Sequence, residues 1–250
     1  MALVQDASGG QTISGSTFTV TLPSATSAGN VLIVCAAENG NYGTPTGWTK
    51  AVSNDIYQDL HVYYKATTAG ETSWAFPGST FGGAAWYVRE ESGLSTTHDT
   101  AVANGTSSKV TSLATGSTGT LAQASELAIL CSNIANSTDA ATGATDGFTS
   151  STNGSYPSTG SSGSLHVWEQ YTTATTALNS TVSSSVSKQM AVALVTFKVS
   201  ATAYSGTASD TITATISAAG GGTGSASLAG TATISASGTV ATSSTASTSV

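Results

Sequence analysis

The chain writes one passage twice. "LHVYYK" begins at Leu60 and "LHVWEQ" at Leu165, and each runs into a Thr/Ala stretch, "ATTAGETSW" and "YTTATTALN". Two of the three histidines are spent this way. Self-similarity at a long period means one supersecondary unit used again, so it narrows the possible folds more than any single motif does. Four further pairs keep the same order: "GSTFTV" at Gly15 with "GSTGTL" at Gly116, "NVLIVCAAE" at Asn30 with "ELAILCSNI" at Glu126, "GWT" at Gly47 with "GFT" at Gly147, and "AAWYVREE" at Ala84 with "AVALVTFK" at Ala191. The separation drifts from 96 residues at Cys35 and Cys131 to 100 at the turns and 105 at the histidines. Loop insertions cause such drift at little cost in stability. Residues 12–92 and 113–199 therefore read as two copies of one β unit. The intervening "LSTTHDTAVANGTSS" reads as a linker with a surface turn at His98 and Asp99.

Period-2 patterning assigns the faces. Leu60, Val62, Leu165 and Val167 share the side expected to be core, while His61, Tyr63, His166 and Trp168 share the other. "NVLIVCAA" and "MAVALVTF" are apolar on both faces, as in central strands of a packed sandwich. Only 8% of residues are charged, and Thr, Val and aromatics alternate without helix-forming runs. The fold class expected is all-β: a jelly-roll-like β-sandwich over residues 1–200, built from two duplicated halves. Residues 201–250 shift to small side chains, and "GTASDTITATISA" and "GTATISASGTV" form a second short repeat. Such a segment cannot bury a core, so it is expected to be a repetitive Ser/Thr/Ala-rich β extension ordered by a partner or in a homo-oligomer.

A net charge of −7 with six Lys and Arg residues gives no basic stripe, so neither nucleic acid nor an anionic membrane surface is an expected partner. The first residues, "MALVQDASGG", lack the charged and apolar regions of a secretory signal. Cys35 and Cys131 sit in apolar runs and read as buried thiols, with a bridge between them the alternative.

Catalysis leaves little trace. Glu90 and Glu91 fall on opposite faces of a strand and cannot flank one bond, while Glu38, Glu71, Asp99, Asp146 and Glu169 are scattered. No catalytic residues, metal ligands or cofactor motifs are assigned. The candidate binding residues are aromatic or imidazole: Trp48 and Tyr57 in the first long loop region, and the strips His61–Tyr63 and His166–Trp168. Exposed aromatics would suit a protein or sugar contact. Trp48 admits two readings, a sugar platform or a plug for the sandwich end, and its counterpart Phe148 favours the plug.

The line "SAGNVLIVCAAENG", "TPTGWTK", "LHVYYKATTAGETSWAF", "AAWYVREESGL" resembles a jelly-roll-like domain of tailed-bacteriophage virion proteins, over residues 12–95 and more weakly over 113–199. The Thr/Ser/Ala tail is similar to the repetitive C-terminal segments of phage minor tail proteins. The resemblance implies a non-enzymatic virion protein assembled in the bacterial cytoplasm, with a minor tail or fibre-like place on the particle. Its implied partners are other virion proteins, through 201–250, and host surface glycans. A capsid decoration role, a carbohydrate-binding adhesin module and a polysaccharide-degrading enzyme are the alternatives.

Overall fold

The computed structural model describes residues 1–200 except 14–15, 39–42, 57, 79–81, 136–140 and 158–162; Tyr57 and the expectations for 201–250 therefore lie outside the described residues. Strands account for all the regular structure in that set. They are β1 (Ala2–Thr12), β2 (Thr17–Thr21), β3 (Val31–Glu38), β4 (Thr49–Asn54), β5 (Asp59–Ala66), β6 (Ser73–Pro77), β7 (Gly83–Ser92), β8 (Leu94–Ala114), β9 (Glu126–Ile134), β10 (Ala141–Ala144), β11 (Thr149–Pro157), β12 (Ser164–Tyr171) and β13 (Thr181–Val199).

Two antiparallel sheets carry the architecture. The first runs β1-β7-β3-β5-β4 and uses only residues before Gly93. The second runs β8-β13-β9-β12-β11, with β10 also paired to β13, and uses only residues after it. Read strand by strand, the two orders are the same. The registers agree as well: Cys35 stands opposite Val62 and Tyr87, and Cys131 opposite Val167 and Ala193. The ladder corrects one sequence match. Ala37 pairs with Ala85 and Asn133 with Ala191, so Ala191 corresponds to Ala85 and not to Ala84. A one-residue slip of this kind turns every side chain to the wrong face.

The sheets face each other over one apolar cluster that includes Ile33, Cys35, Leu60 and Val62 from the first and Ile129, Cys131, Leu165 and Val167 from the second. This is a β-sandwich-like packing of two inner faces. Cys35 and Cys131 are free thiols at its centre, and burial together with their mutual proximity raises the Cys131 thiol well above its ordinary range.

Each outer face is covered by the chain's own short pieces. A ribbon of β2 and β6 lays Phe18, Val20 and Phe76 over Leu32, Val34 and Tyr63 of the first sheet. On the second sheet, the segments near 115–121 and 175–180 exchange backbone bonds at Thr115–Ser180, Thr118–Leu178 and Leu121–Thr175. There Leu130, Phe148, Trp168 and Leu194 form the outer cluster. Burying side chains of this size stabilises by roughly 1.5–3 kcal/mol each.

Small polar devices recur in both halves. The Thr67 hydroxyl accepts from Asn30 N at 2.9 Å while Thr67 N donates to Asn30 O at 2.9 Å. Thr172 does the same with Glu126, at 2.9 Å for both bonds. Gly47 and Gly147 both take left-handed backbone, φ 81 and 83, immediately before Trp48 and Phe148. That conformation strains any residue with a Cβ, which is why "GWT" and "GFT" begin alike.

The expected linker is a strand. Leu94–Ala114 forms β8 and pairs along β13, so His98 and Asp99 lie in a ladder and not in a turn. Its Thr, Ser, Ala and Gly content gives no apolar alternation, and the backbone of β13 supplies its pairing instead. At the junction, Ser200 N donates to Gly93 O at 2.8 Å, and a Cβ on Gly93 would stand 3.1 Å from Met1 Cα.

Candidate functional site

The covers decide the fate of the candidate residues. Trp48, His61, Tyr63, His166 and Trp168 are all buried, between 0 and 8% exposed, and Trp48, Tyr63 and Trp168 belong to the outer clusters just described. They do not form exposed patches, which corrects the expectation of two outward aromatic strips. The alternation was read correctly, but the face opposite the shared core is itself a second interior. Trp48 packs edge-on to Trp74 and Phe76, with ring centroids 5.9 and 4.9 Å away, which is the plug arrangement.

The two histidines occupy matching stations. His61 stacks on Tyr63 at 5.8 Å and 29°, and His166 on Trp168 at 6.0 Å and 30°. Their surroundings differ. Around His61 the chain gathers Glu38, Lys50, Asp55 and Asp59. Burial, with Lys50 adding to it, lowers the His61 pKa to about 4, although Asp55 Oδ1 sits 3.7 Å from Nε2 and pulls the other way. Glu38 is buried with neither carboxylate oxygen hydrogen-bonded. Burial first, and then the nearby Asp59 charge, push its pKa up to about 9, so it is a neutral acid at pH 7. The Lys50 ammonium lies 5.6 Å from the centre of the Tyr63 ring and closes that station.

At His166 the ring meets a backbone amide and a hydroxyl. Nε2 accepts from Ala141 N at 3.2 Å and lies 3.2 Å from the Ser164 hydroxyl. The bond from Ala141 N makes Nε2 an acceptor and so leaves the neutral ring's proton on Nδ1. Beside it the ladder is interrupted. Ser150 pairs with Trp168 and Ser155 with His166, so four residues of β11 bulge out against the single residue Val167. In the first sheet the same span, from Lys50–Tyr63 to Ser53–His61, has two residues fewer. The wide bulge leaves a cavity of about 200 Å³ lined by Ala141, Ser150, Ser151, Gly154, His166 and Trp168. Bulges of this kind re-aim side chains and are common beside functional sites.

A third constellation spans the sandwich interior. Arg89 and Glu91 on β7 are fully buried, and Arg89 reaches both Glu91 Oε2, at 2.6 Å, and Glu169 on β12. Tyr171 closes the set: its hydroxyl accepts from Arg89 at 3.3 Å and donates to Glu91 Oε1 at 3.2 Å. Burial holds the Glu91 carboxyl above its ordinary range against the pull of Arg89, and Arg89 Nε has no partner. Sequence reasoning kept Glu90 and Glu91 on opposite faces, and they are, but it left Glu91 and Glu169 unconnected. The available signal was alternation: Glu169 and Tyr171 continue the core face of Leu165 and Val167, and Arg89 and Glu91 continue that of Tyr87. Both carboxylates accept from one guanidinium, so the set works as a clamp between the sheets.

Glu90 is held separately by Gln5, Ser27 N and Asn30, at 2.6, 2.8 and 2.6 Å. Among the described residues, no three His, Cys, Asp or Glu side chains gather as metal ligands, and no helix is long and apolar enough to cross a membrane. No protein-family model matches the chain, and neither does any curated protein or solved structure.

Proposed function

We propose that the chain is a structural protein of a tailed-bacteriophage virion, a β-sandwich displayed on the particle in a minor tail or fibre-like position where it contacts host surface glycans. One observation carries the reading: the segments that bear the virion-domain resemblance are those that frame the first half. "NVLIVCAA" is its central strand β3, "TPTGWTK" sets Trp48 into the cover, and "LHVYYK" is β5. "GETSW" makes the corner where Lys65 Nζ meets Glu71 at 2.5 Å and Trp74 Nε1 donates to Glu71 at 3.2 Å. A resemblance written in frame residues speaks for a scaffold, and the engagement of Glu91 and Glu169 by Arg89 speaks for cohesion over hydrolysis.

The two sheets are read as duplicated copies, on the support of their common order, registers and threonine clips. Sheets drawn each from one half favour two copies side by side over a jelly roll wound through both. Residues 201–250 are taken to engage neighbouring virion proteins or further copies of the chain. A capsid decoration role is the other position on the same particle. A glycan-binding adhesin module is the second reading, favoured by the cavity beside Trp168. Mass spectrometry and immunogold imaging of purified particles test the main reading. Label on the tail is expected, label on the head would move the protein to decoration, and absence from the particle would overturn the proposal.

A further inference from the structure

We infer that Cys35 and Cys131 form a dithiol site that closes to a disulfide between the two sheets when the sandwich opens in an oxidising medium. This goes beyond the proposed function and does not rest on it. The pair sits at matched places. β3 is the middle strand of the first sheet and β9 of the second. Each carries one cysteine on its inner face, in the shared apolar cluster and fully buried. The chain has no other cysteine, so a bridge within it can join only these two.

The interior brings them together. Ala37, Ala85, Ala191 and Ala193 lie in the same cluster, and side chains this small let the sheets close in. β3 and β9 approach to within 8 Å between Cα atoms, against about 10 Å for packed sheets in general. The Cys131 thiol has two hydrogen-bond partners, the Ala193 carbonyl oxygen at 3.7 Å and the Cys35 thiol. A bridge needs Cα atoms about 4.4–6.8 Å apart, so a short further approach completes it. Two thiols cannot by themselves close a tetrahedral metal site, and among the described residues no third ligand joins them.

Burial decides when the bridge forms. A small disulfide in solution oxidises a thiol only when the thiolate attacks it. In the folded chain no such oxidant reaches either sulfur, and the apolar surroundings hold the Cys131 thiol well above its ordinary range. Opening of the sandwich exposes both. One thiol then loses its proton and attacks oxidised glutathione, releasing one reduced glutathione; the second attacks the mixed disulfide and releases another. The two cysteines are oxidised, one glutathione disulfide is reduced to two thiols, and refolding buries the new bond. That bond ties residues 96 positions apart, across halves that the backbone otherwise joins only at Gly93. Closing so long a loop strongly restricts the unfolded chain.

The test unfolds the full chain in urea and refolds it by dilution, either with oxidised and reduced glutathione or with dithiothreitol. The glutathione sample is expected to be monomeric and lighter by two hydrogen atoms, with the peptides of Cys35 and Cys131 joined. Its urea midpoint should lie about 1–2 M above that of the reduced chain. The double variant Cys35→Ala with Cys131→Ala, which cannot bridge, should show the same midpoint from both buffers. Folded chain never exposed to urea should keep both thiols in the glutathione buffer for as long as the refolding sample takes to close its bridge. Three results would overturn the inference: the refolded chain keeps its thiols or carries glutathione on them, the bridged chain unfolds at or below the reduced midpoint, or the folded chain oxidises as fast as the opened one.

Discussion

The first sheet and the second follow one path and differ in what they enclose. With the ladders aligned at Cys35 and Cys131, Glu38 opposite Asp59 corresponds to Ile134 opposite Ser164. Arg89 opposite Ile33 corresponds to Val195 opposite Ile129, and Glu91 opposite Val31 to Phe197 opposite Leu127. Lys50 over Tyr63 corresponds to Ser150 beside Trp168. At Ile134, Val195 and Phe197 the second sheet thus holds its shape with apolar residues where the first buries Glu38, Arg89 and Glu91. The frame does not require those charges, and burying an ion pair costs roughly as much in desolvation as the pairing returns. What both halves share instead is the threonine clip, the left-handed glycine before the aromatic plug, and the histidine stacked on its neighbour.

The strongest way to break this contrast is at Glu38. Its folded pKa of about 9 lies above the ordinary 4.5, so its stabilising contribution is complete below pH 4.5 and is lost as pH rises toward 9. The loss is at most about 6 kcal/mol, at about 1.4 kcal/mol per pH unit. His61 runs the other way. Its folded pKa of about 4 lies below 6.5, so its contribution is complete above pH 6.5 and is lost as pH falls toward 4. Between pH 4.5 and 6.5 the two trends offset each other, and above 6.5 only the Glu38 slope remains. Urea midpoints of the parent chain should therefore hold steady and then fall above pH 6.5, whereas Glu38→Gln, or the second-half copy Glu38→Ile, should rise from pH 4.5 to 6.5 on the His61 trend and stay level above it. A parent curve that stays flat to pH 9 would remove the distinction.

Next in size is the clamp. Arg89→Val copies the second half but strands Glu91 in the interior, at an expected cost of about 3–5 kcal/mol in chemical denaturation. Arg89→Val with Glu91→Phe completes the copy and should regain most of that loss. Additive costs in the double-variant cycle would show that the two stations are not equivalent. Gly47→Ala and Gly147→Ala should each lose about 1–2 kcal/mol, and by equal amounts, because both substitutions force a Cβ into left-handed backbone. The crowding differs little, since the nearest group at Gly147 is the flexible end of Gln170. Unequal melting shifts would separate the two turns. The smallest effect belongs to Ser150→Lys, within about 0.5 kcal/mol of the parent on an exposed position.

Much of this frame was legible. Alternation in "LHVYYK" and "LHVWEQ" gives the faces of β5 and β12, and the apolar runs around Cys35 and Cys131 give the central strands. The covers were not legible. "TFTVT" is a five-residue strand with two buried side chains, too short and polar to announce that it would pack into one cluster with Tyr63. Strand β8 was missed because its pairing is made by backbone groups, and its Thr/Ser/Ala side chains leave no period. Arg89, Glu91 and Glu169 stand apart in sequence, and only the closing of one sheet on the other brings them together. The cavity depends on a bulge of β11, and bulges follow from register, which no single strand encodes.

The meeting of Met1 and Ser200 at Gly93 has a topological consequence. The path through the sandwich returns to its own midpoint, so the order in which the sheets are synthesised is arbitrary as far as their packing is concerned. A rearranged gene that starts translation at Leu94, continues through Ser200 into Met1 by a short bridge, and stops at Gly93 would lay down the same ladders with every interior neighbour kept.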